Sequence, residues 1–263
     1  MRHRHRFPDR PPAGSRCRPE THGRTAGGDA RPPPGYSAPV PHLLSHIDAW
    51  IFDLDNTLYP ASARLFDQID VRMGGFIQNL LGVDAVEARR LQKELFHSHG
   101  MTMPGLMARH RVDPHQFLAH VHDVDISVVA DAPLIRDALA RLPGRKFVFT
   151  NADAAYANRV LARLGLSQAF DAMHDIHALG YVPKPAPGAY RHLCDAHGID
   201  PARALFVEDM ARNLVPAKAI GMTTVWVDNG SEQGPAGVLD HIDITITDVG
   251  HWLTGVVAEL ERA

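Results

Sequence analysis

The chain has 263 residues, 45% hydrophobic and 22% charged, which is enough for one full globular domain with a smaller one attached. Its net charge of −3 is uneven: residues 1–44 carry eight Arg against three acidic residues, so the rest of the chain sums to −8, and a body this acidic excludes general nucleic-acid binding. Two cysteines, Cys17 and Cys194, exclude a disulfide framework, and no apolar run is long enough for a membrane helix or a secretory signal, so a cytoplasmic setting is expected.

In chain order, residues 1–44 come first, with nine prolines and few large apolar side chains. Such a segment buries too little to offset its conformational entropy, so an Arg/Pro-rich disordered tail is expected. Ala49-Trp50-Ile51-Phe52-Asp53-Leu54 then forms an apolar run ending in polar residues, the pattern of a buried parallel strand. Residues 64–135 lose that rhythm. Leu65, Ile69, Met73, Phe76, Ile77 and Leu80 recur at helical spacing, Ala85–His97 continues in kind, and Thr102–Arg111 and Pro114–Val121 predict two further helices. Strand runs return at Lys146–Thr150, Ala204–Val207 and Thr223–Val227, with a weaker one at Ile242–Thr247. Between them lie helical patterns at Ala154–Leu164, Pro187–His197 and Leu214–Ile220, each stopped by a glycine, the favoured left-handed residue just past a helix. Alternating strands and helices predict a doubly wound, mostly parallel Rossmann-like α/β sheet. The core is expected over 46–63 and 136–250, interrupted by a helical cap over 64–135, with a C-terminal helix over 251–263.

Active sites of open α/β sheets lie at the carboxyl ends of the strands. The polar clusters of this chain fall there: Asp53-Leu54-Asp55 after the first strand, Thr150-Asn151 after the second, Glu208-Asp209 after the third, and Lys184 between two prolines ahead of a helix. Two carboxylates sharing a cleft resist ionising together unless a cation lies between them, and Mg²⁺ suits an all-oxygen set. With its charge neutralised, Asp53 can attack an anionic phosphoryl group, and Asp55 can protonate the leaving oxygen. Lys184 and Thr150 would hold the phosphoryl oxygens. An aspartate at a strand end usually just caps a helix; four such clusters in order outweigh that reading. Asn213 is read as a buttress. The cap histidines, His97, His99, His110, His115, His120 and His122, lack the acidic or cysteine framework of a zinc site.

Asp53-Leu54-Asp55-Asn56-Thr57-Leu58-Tyr59 resembles the first motif of the haloacid dehalogenase superfamily of phosphatases, and Thr150, Lys184 and Glu208-Asp209 resemble its second, third and fourth motifs in order. The resemblance implies Asp53 as nucleophile, Asp55 as general acid and base, and Thr150, Asn151 and Lys184 as further catalytic residues. It also implies Mg²⁺ held by Asp53, Asp209, the Asp55 backbone carbonyl and Glu208, the last through water. The second aspartate distinguishes phosphate chemistry from dehalogenation. A narrower resemblance, through Phe52–Pro60, Phe96–Leu106 and Glu208–Leu214, is to the pyrimidine 5′-nucleotidase branch, though Phe96 and His99 stand where tyrosines are expected. It implies a nucleoside 5′-monophosphate such as UMP or CMP as the small-molecule partner, with Asn151, Thr102, His99 and His122 as substrate-binding candidates. The alternatives are a phosphatase or mutase of the same superfamily acting on another small phosphate ester, such as a sugar phosphate or a phosphoglycolate-like one, or a non-catalytic nucleotide-binding member.

Overall fold

The computed structural model describes residues 44–230 and 239–262; the expected tail, with Cys17, lies outside them, while Leu44 at its end is buried in the core. Six strands, β1 (Ala49–Phe52), β2 (Arg145–Phe149), β3 (Ala172–His174), β4 (Ala204–Glu208), β5 (Thr223–Val227) and β6 (Ile244–Ile246), form one all-parallel sheet in the order β3-β2-β1-β4-β5-β6. β1 is apolar at every position because both of its faces are covered, and Trp50, Ile51 and Phe52 have no exposed surface. Burying side chains of that size contributes roughly 1.5–3 kcal/mol each. The doubly wound α/β class expected from the sequence is the fold observed.

Of the five α-helices between β1 and β2 in sequence, the first four are α1 (Leu65–Leu81), α2 (Ala85–His99), α3 (Thr102–His110) and α4 (Pro114–Val121). They pack chiefly on one another, α1 against α2 and α4, and α2 against α3. Close approach explains Gly105: a Cβ there would stand 2.7 Å from Leu95 Cδ2 and 3.1 Å from His99 Nδ1. α5 (Pro133–Arg141) packs against α9 (Val249–Leu260), so residue 135 falls inside a helix. We propose that the division between insert and core belongs before Pro133. α6 (Ala154–Arg163) and α7 (Pro187–His197) follow β2 and β3, and α8 (Ala211–Ala219) lies along β4 and β5.

Among the described residues no helix is long and apolar enough to cross a membrane. Cys194 is a free, buried thiol, and burial pushes it up to about 11, which keeps it protonated.

Candidate active site

Strand register puts the chemistry in one row. Phe52 pairs with Val148 on β2 and with Val207 on β4, so Asp53 follows on level with Phe149 and Glu208. The Asp53 amide continues the ladder to the Val207 carbonyl (2.9 Å). The chain then turns at Asn56, whose φ of 57° is left-handed, a conformation that asparagine tolerates better than most residues. The turn brings Leu58 back onto the Leu54 carbonyl (3.0 Å), and Tyr59 returns over Asp55.

Lys184 is the hub. Its Nζ donates to Asp53 Oδ1 at 2.6 Å, Glu208 Oε2 at 2.7 Å and the Phe149 carbonyl at 2.9 Å, which uses all three donors. It is 1% exposed and lies 5.1 and 5.3 Å from the ring centres of Phe149 and Phe206. Burial works against the ammonium, but the charges of Asp53 and Glu208 outweigh it and hold Lys184 above the ordinary lysine value. Asn151 holds the same segment: its Oδ1 accepts from the Lys184 amide (2.9 Å) and its Nδ2 donates to the Lys184 carbonyl (3.2 Å). Thr150 is buried, and its Oγ1 accepts from the Ala152 amide (3.0 Å).

Carboxylate oxygens of Asp53, Glu208 and Asp209 all lie within 4.8 Å of one another, the one such acidic or histidine cluster among the described residues. Three buried carboxylates face a single ammonium. Burial first, and the charge of Glu208 second, push Asp53 and Asp209 well above the usual carboxylate range. An excess of buried negative charge with all-oxygen donors fits a hard divalent cation. Asn213 Oδ1, four residues past Asp209, is buried and without a hydrogen-bond partner.

A pH-dependent expectation follows. Carboxylates whose folded-state values are raised favour the folded state fully below the unfolded value of about 3.8. That contribution is lost as pH rises through the folded values. The metal-free Asp209→Asn variant should therefore melt at a higher temperature than wild type, by a margin that widens from about pH 5 to pH 8. Added Mg²⁺ should raise the melting temperature of wild type more than that of the variant. Thermal melts in EDTA and in Mg²⁺ across this range check it; a margin independent of pH and Mg²⁺ would contradict it.

Asp55 takes no part in that cluster through its side chain: its Oδ1 accepts from the hydroxyls of Tyr59 (2.6 Å) and Tyr156 (2.7 Å). Burial, then the charge of Asp55, holds both phenols above their ordinary value, so they remain donors. Its assignment to the metal therefore rests on the backbone carbonyl alone.

Two of the substrate-binding candidates, Asn151 and His122, have protein partners. Asn151 is engaged with the Lys184 backbone at both amide atoms. His122 is buried, its Nδ1 2.5 Å from Asp153 Oδ2 and its ring stacked 4.3 Å from that of Tyr156. Thr102 is buried at the start of α3. His99 and Gly100 line, with Pro104, a cleft of about 430 Å³ against Tyr181–Pro183, Pro185 and Ala186 of the Lys184 loop. Arg212 reaches the same segment of the insert. Its Nη2 donates to the Gly100 carbonyl (3.1 Å) and its guanidinium stacks 4.1 Å over Phe96. Sequence reasoning missed Tyr59, Tyr156, Asp153 and Arg212 as site residues. Tyr59, four residues after Asp55, and Arg212, within Glu208–Leu214, lay in motif segments already singled out.

Residues 47–221 match the model of a hydrolase family described as haloacid dehalogenase-like hydrolase. The chain is 26% identical over 191 residues to Phosphate metabolism protein 8 of Saccharomyces cerevisiae, covering 66% of this chain but 59% of that protein. It is 28% identical to the phosphoglycolate phosphatase of Rhodospirillum rubrum, covering 78% of this chain and 90% of that one. The HAD phosphatase from Thermococcus onnurineus superposes with a TM-score of 0.53 at 19% identity, covering 82% and 97% of the two chains, a likeness that shows the fold.

Proposed function

Because the chain belongs to the haloacid dehalogenase-like hydrolase family, we propose that it is a Mg²⁺-dependent phosphomonoester hydrolase whose nucleophile is Asp53. The observation that carries this reading is the joining of Asp53, Glu208 and Asp209 at one point, with Lys184 bonded to the first two. Asp53, Glu208, Asp209 and the Asp55 backbone carbonyl would hold the cation. When bound, it supplies neutralising charge between the carboxylates and an incoming phosphoryl group.

In this reading a carboxylate oxygen of Asp53 attacks phosphorus, forming an aspartyl phosphate as the ester P–O bond breaks. Asp55 gives a proton to the leaving oxygen and later takes one from the attacking water. Lys184 fixes the rotamer of Asp53 through a 2.6 Å charge-assisted bond and offers positive charge to the equatorial oxygens. Thr150 supplies a hydroxyl at the end of β2. Asp53, Glu208, Asp209 and Lys184 are nearly sealed from solvent, at 1–6% exposure, so substrate access requires some of the structure around them to move.

For the substrate we propose a pyrimidine nucleoside 5′-monophosphate, on the strength of the segments Phe52–Pro60, Phe96–Leu106 and Glu208–Leu214. His99, lining the cleft, and Thr102, at the start of α3, are the candidates from the insert. A second reading, a small acidic ester such as phosphoglycolate, is favoured by the relative named phosphoglycolate phosphatase. It is also favoured by Phe96 packing under Arg212, which takes that ring away from base stacking. Phosphate release across UMP, CMP, purine monophosphates, sugar phosphates and phosphoglycolate separates them. UMP and CMP are expected to lead in kcat/KM; phosphoglycolate leading, with pyrimidine nucleotides poor, would replace the narrow reading and keep the chemistry.

A further inference from the structure

Two phenols converge on one oxygen of Asp55, and the reaction outlined above gives them no work. Tyr59 comes from the same loop, four residues on; Tyr156 comes from the first turn of α6. Both residues are buried, at 2% and 1% exposure, so their hydroxyls are held largely to protein partners. Asp55 Oδ2 receives no hydrogen bond from the described residues. Tyr156 is itself braced. His122, the residue that ends α4, stacks on its ring, and Asp153 bonds His122 through Oδ2 while its Oδ1 accepts from the Tyr156 amide (2.8 Å). Arg159 in turn donates to the carbonyls of His122 (3.0 Å) and Val124 (2.9 Å).

We propose that Tyr59 and Tyr156 are positioning residues for the general acid. By occupying Oδ1 from two sides they fix the carboxyl rotamer and leave Oδ2 as the oxygen that carries and delivers the proton. The inference rests on the reading of Asp55 as acid. In the step concerned, Asp53 forms a bond to phosphorus, the ester P–O bond breaks with its electron pair on the leaving oxygen, and the proton on Asp55 Oδ2 moves to that oxygen. An alkyl ester needs this proton because an alkoxide is a poor leaving group; a nitrophenolate departs without it. A fixed Oδ2 thus matters for one class of ester and little for the other.

The test uses the full chain with Mg²⁺ and two generic esters, 2-glycerol phosphate and p-nitrophenyl phosphate. The readout is kcat/KM, which reports the steps up to departure of the leaving group. Tyr156→Phe and Tyr59→Phe keep the buried rings and remove only the hydroxyls. Each is expected to lower the ratio of alkyl to aryl kcat/KM by about 10-fold or more, a part of the roughly 10²–10⁴-fold that a general acid provides. A thermal melt verifies folding, and if one variant fails to fold the other acts on the same oxygen and carries the same expectation. Equal losses on both esters would mean a purely structural role, and no loss on either would make the phenols bystanders; both outcomes overturn the inference and leave the hydrolase reading intact. A wild-type chain that releases phosphate from neither ester overturns that reading, and this inference with it.

Discussion

Asp53→Asn is expected to lower kcat/KM for phosphate release by about 10⁴-fold or more while leaving the metal-free protein at least as stable as wild type. The first effect follows because an amide oxygen cannot form the acyl phosphate, and whatever binding remains cannot open a covalent route. The second follows from the charge count. Three buried carboxylates, Asp53, Glu208 and Asp209, face one ammonium, and burial together with Glu208 pushes Asp53 upward. Neutralising one member relieves repulsion, while Lys184 keeps Glu208 Oε2 and the Phe149 carbonyl. Active sites commonly store instability of this kind in return for chemistry. Urea midpoints in EDTA and phosphate release in Mg²⁺ read the two halves separately. A variant within tenfold of wild-type activity would show that the nucleophile lies elsewhere.

Lys184→Met is expected to lose activity as well, by about 10²–10³-fold, a loss typical of removing one preorganised charge from a transition state. Its stability should move the opposite way from Asp53→Asn. Lys184 is 1% exposed, and its loss strands the Asp53 and Glu208 carboxylates in the interior. Breaking one partner out of a buried ion pair costs about 3–5 kcal/mol. Mg²⁺ should return part of that stability, because a second cation then answers the same carboxylates. Opposite stability changes with a shared loss of turnover are the signature of an excess of acid around one lysine. Should both variants destabilise alike, the carboxylates are balanced in some other way.

The strong apolar runs made the sheet legible. β1 and β4 are buried at every position, and their ends carry Asp53 and Glu208-Asp209, so the sequence marks the sheet edge at which the proposed chemistry lies. β3 stayed hidden because Ala172-Met173-His174 is short, half-exposed at two positions and ends in a histidine. That histidine is legible only in three dimensions, where it sits between His192 (2.9 Å) and His197 (3.2 Å). α8 begins at Ala211, three residues before its apolar pattern does, because Asn213 and Pro216 interrupt the helical spacing. The residues proposed to position the chemistry were harder to read than those proposed to perform it. Nothing local in Tyr156, 101 residues from Asp55, reveals that its hydroxyl ends on that carboxylate. The protein partners of Asn151 and His122, the Lys184 backbone and Asp153, were equally out of reach of local sequence reading.

The covalent step itself can be caught. Acid quench during turnover of a phosphate ester in Mg²⁺, followed by peptide mass spectrometry, is expected to find a phosphoryl group on the peptide carrying Asp53 and none in the Asp53→Asn variant. Steady phosphate release with that peptide unmodified at every quench time, or a phosphoryl group on another residue, would contradict the account.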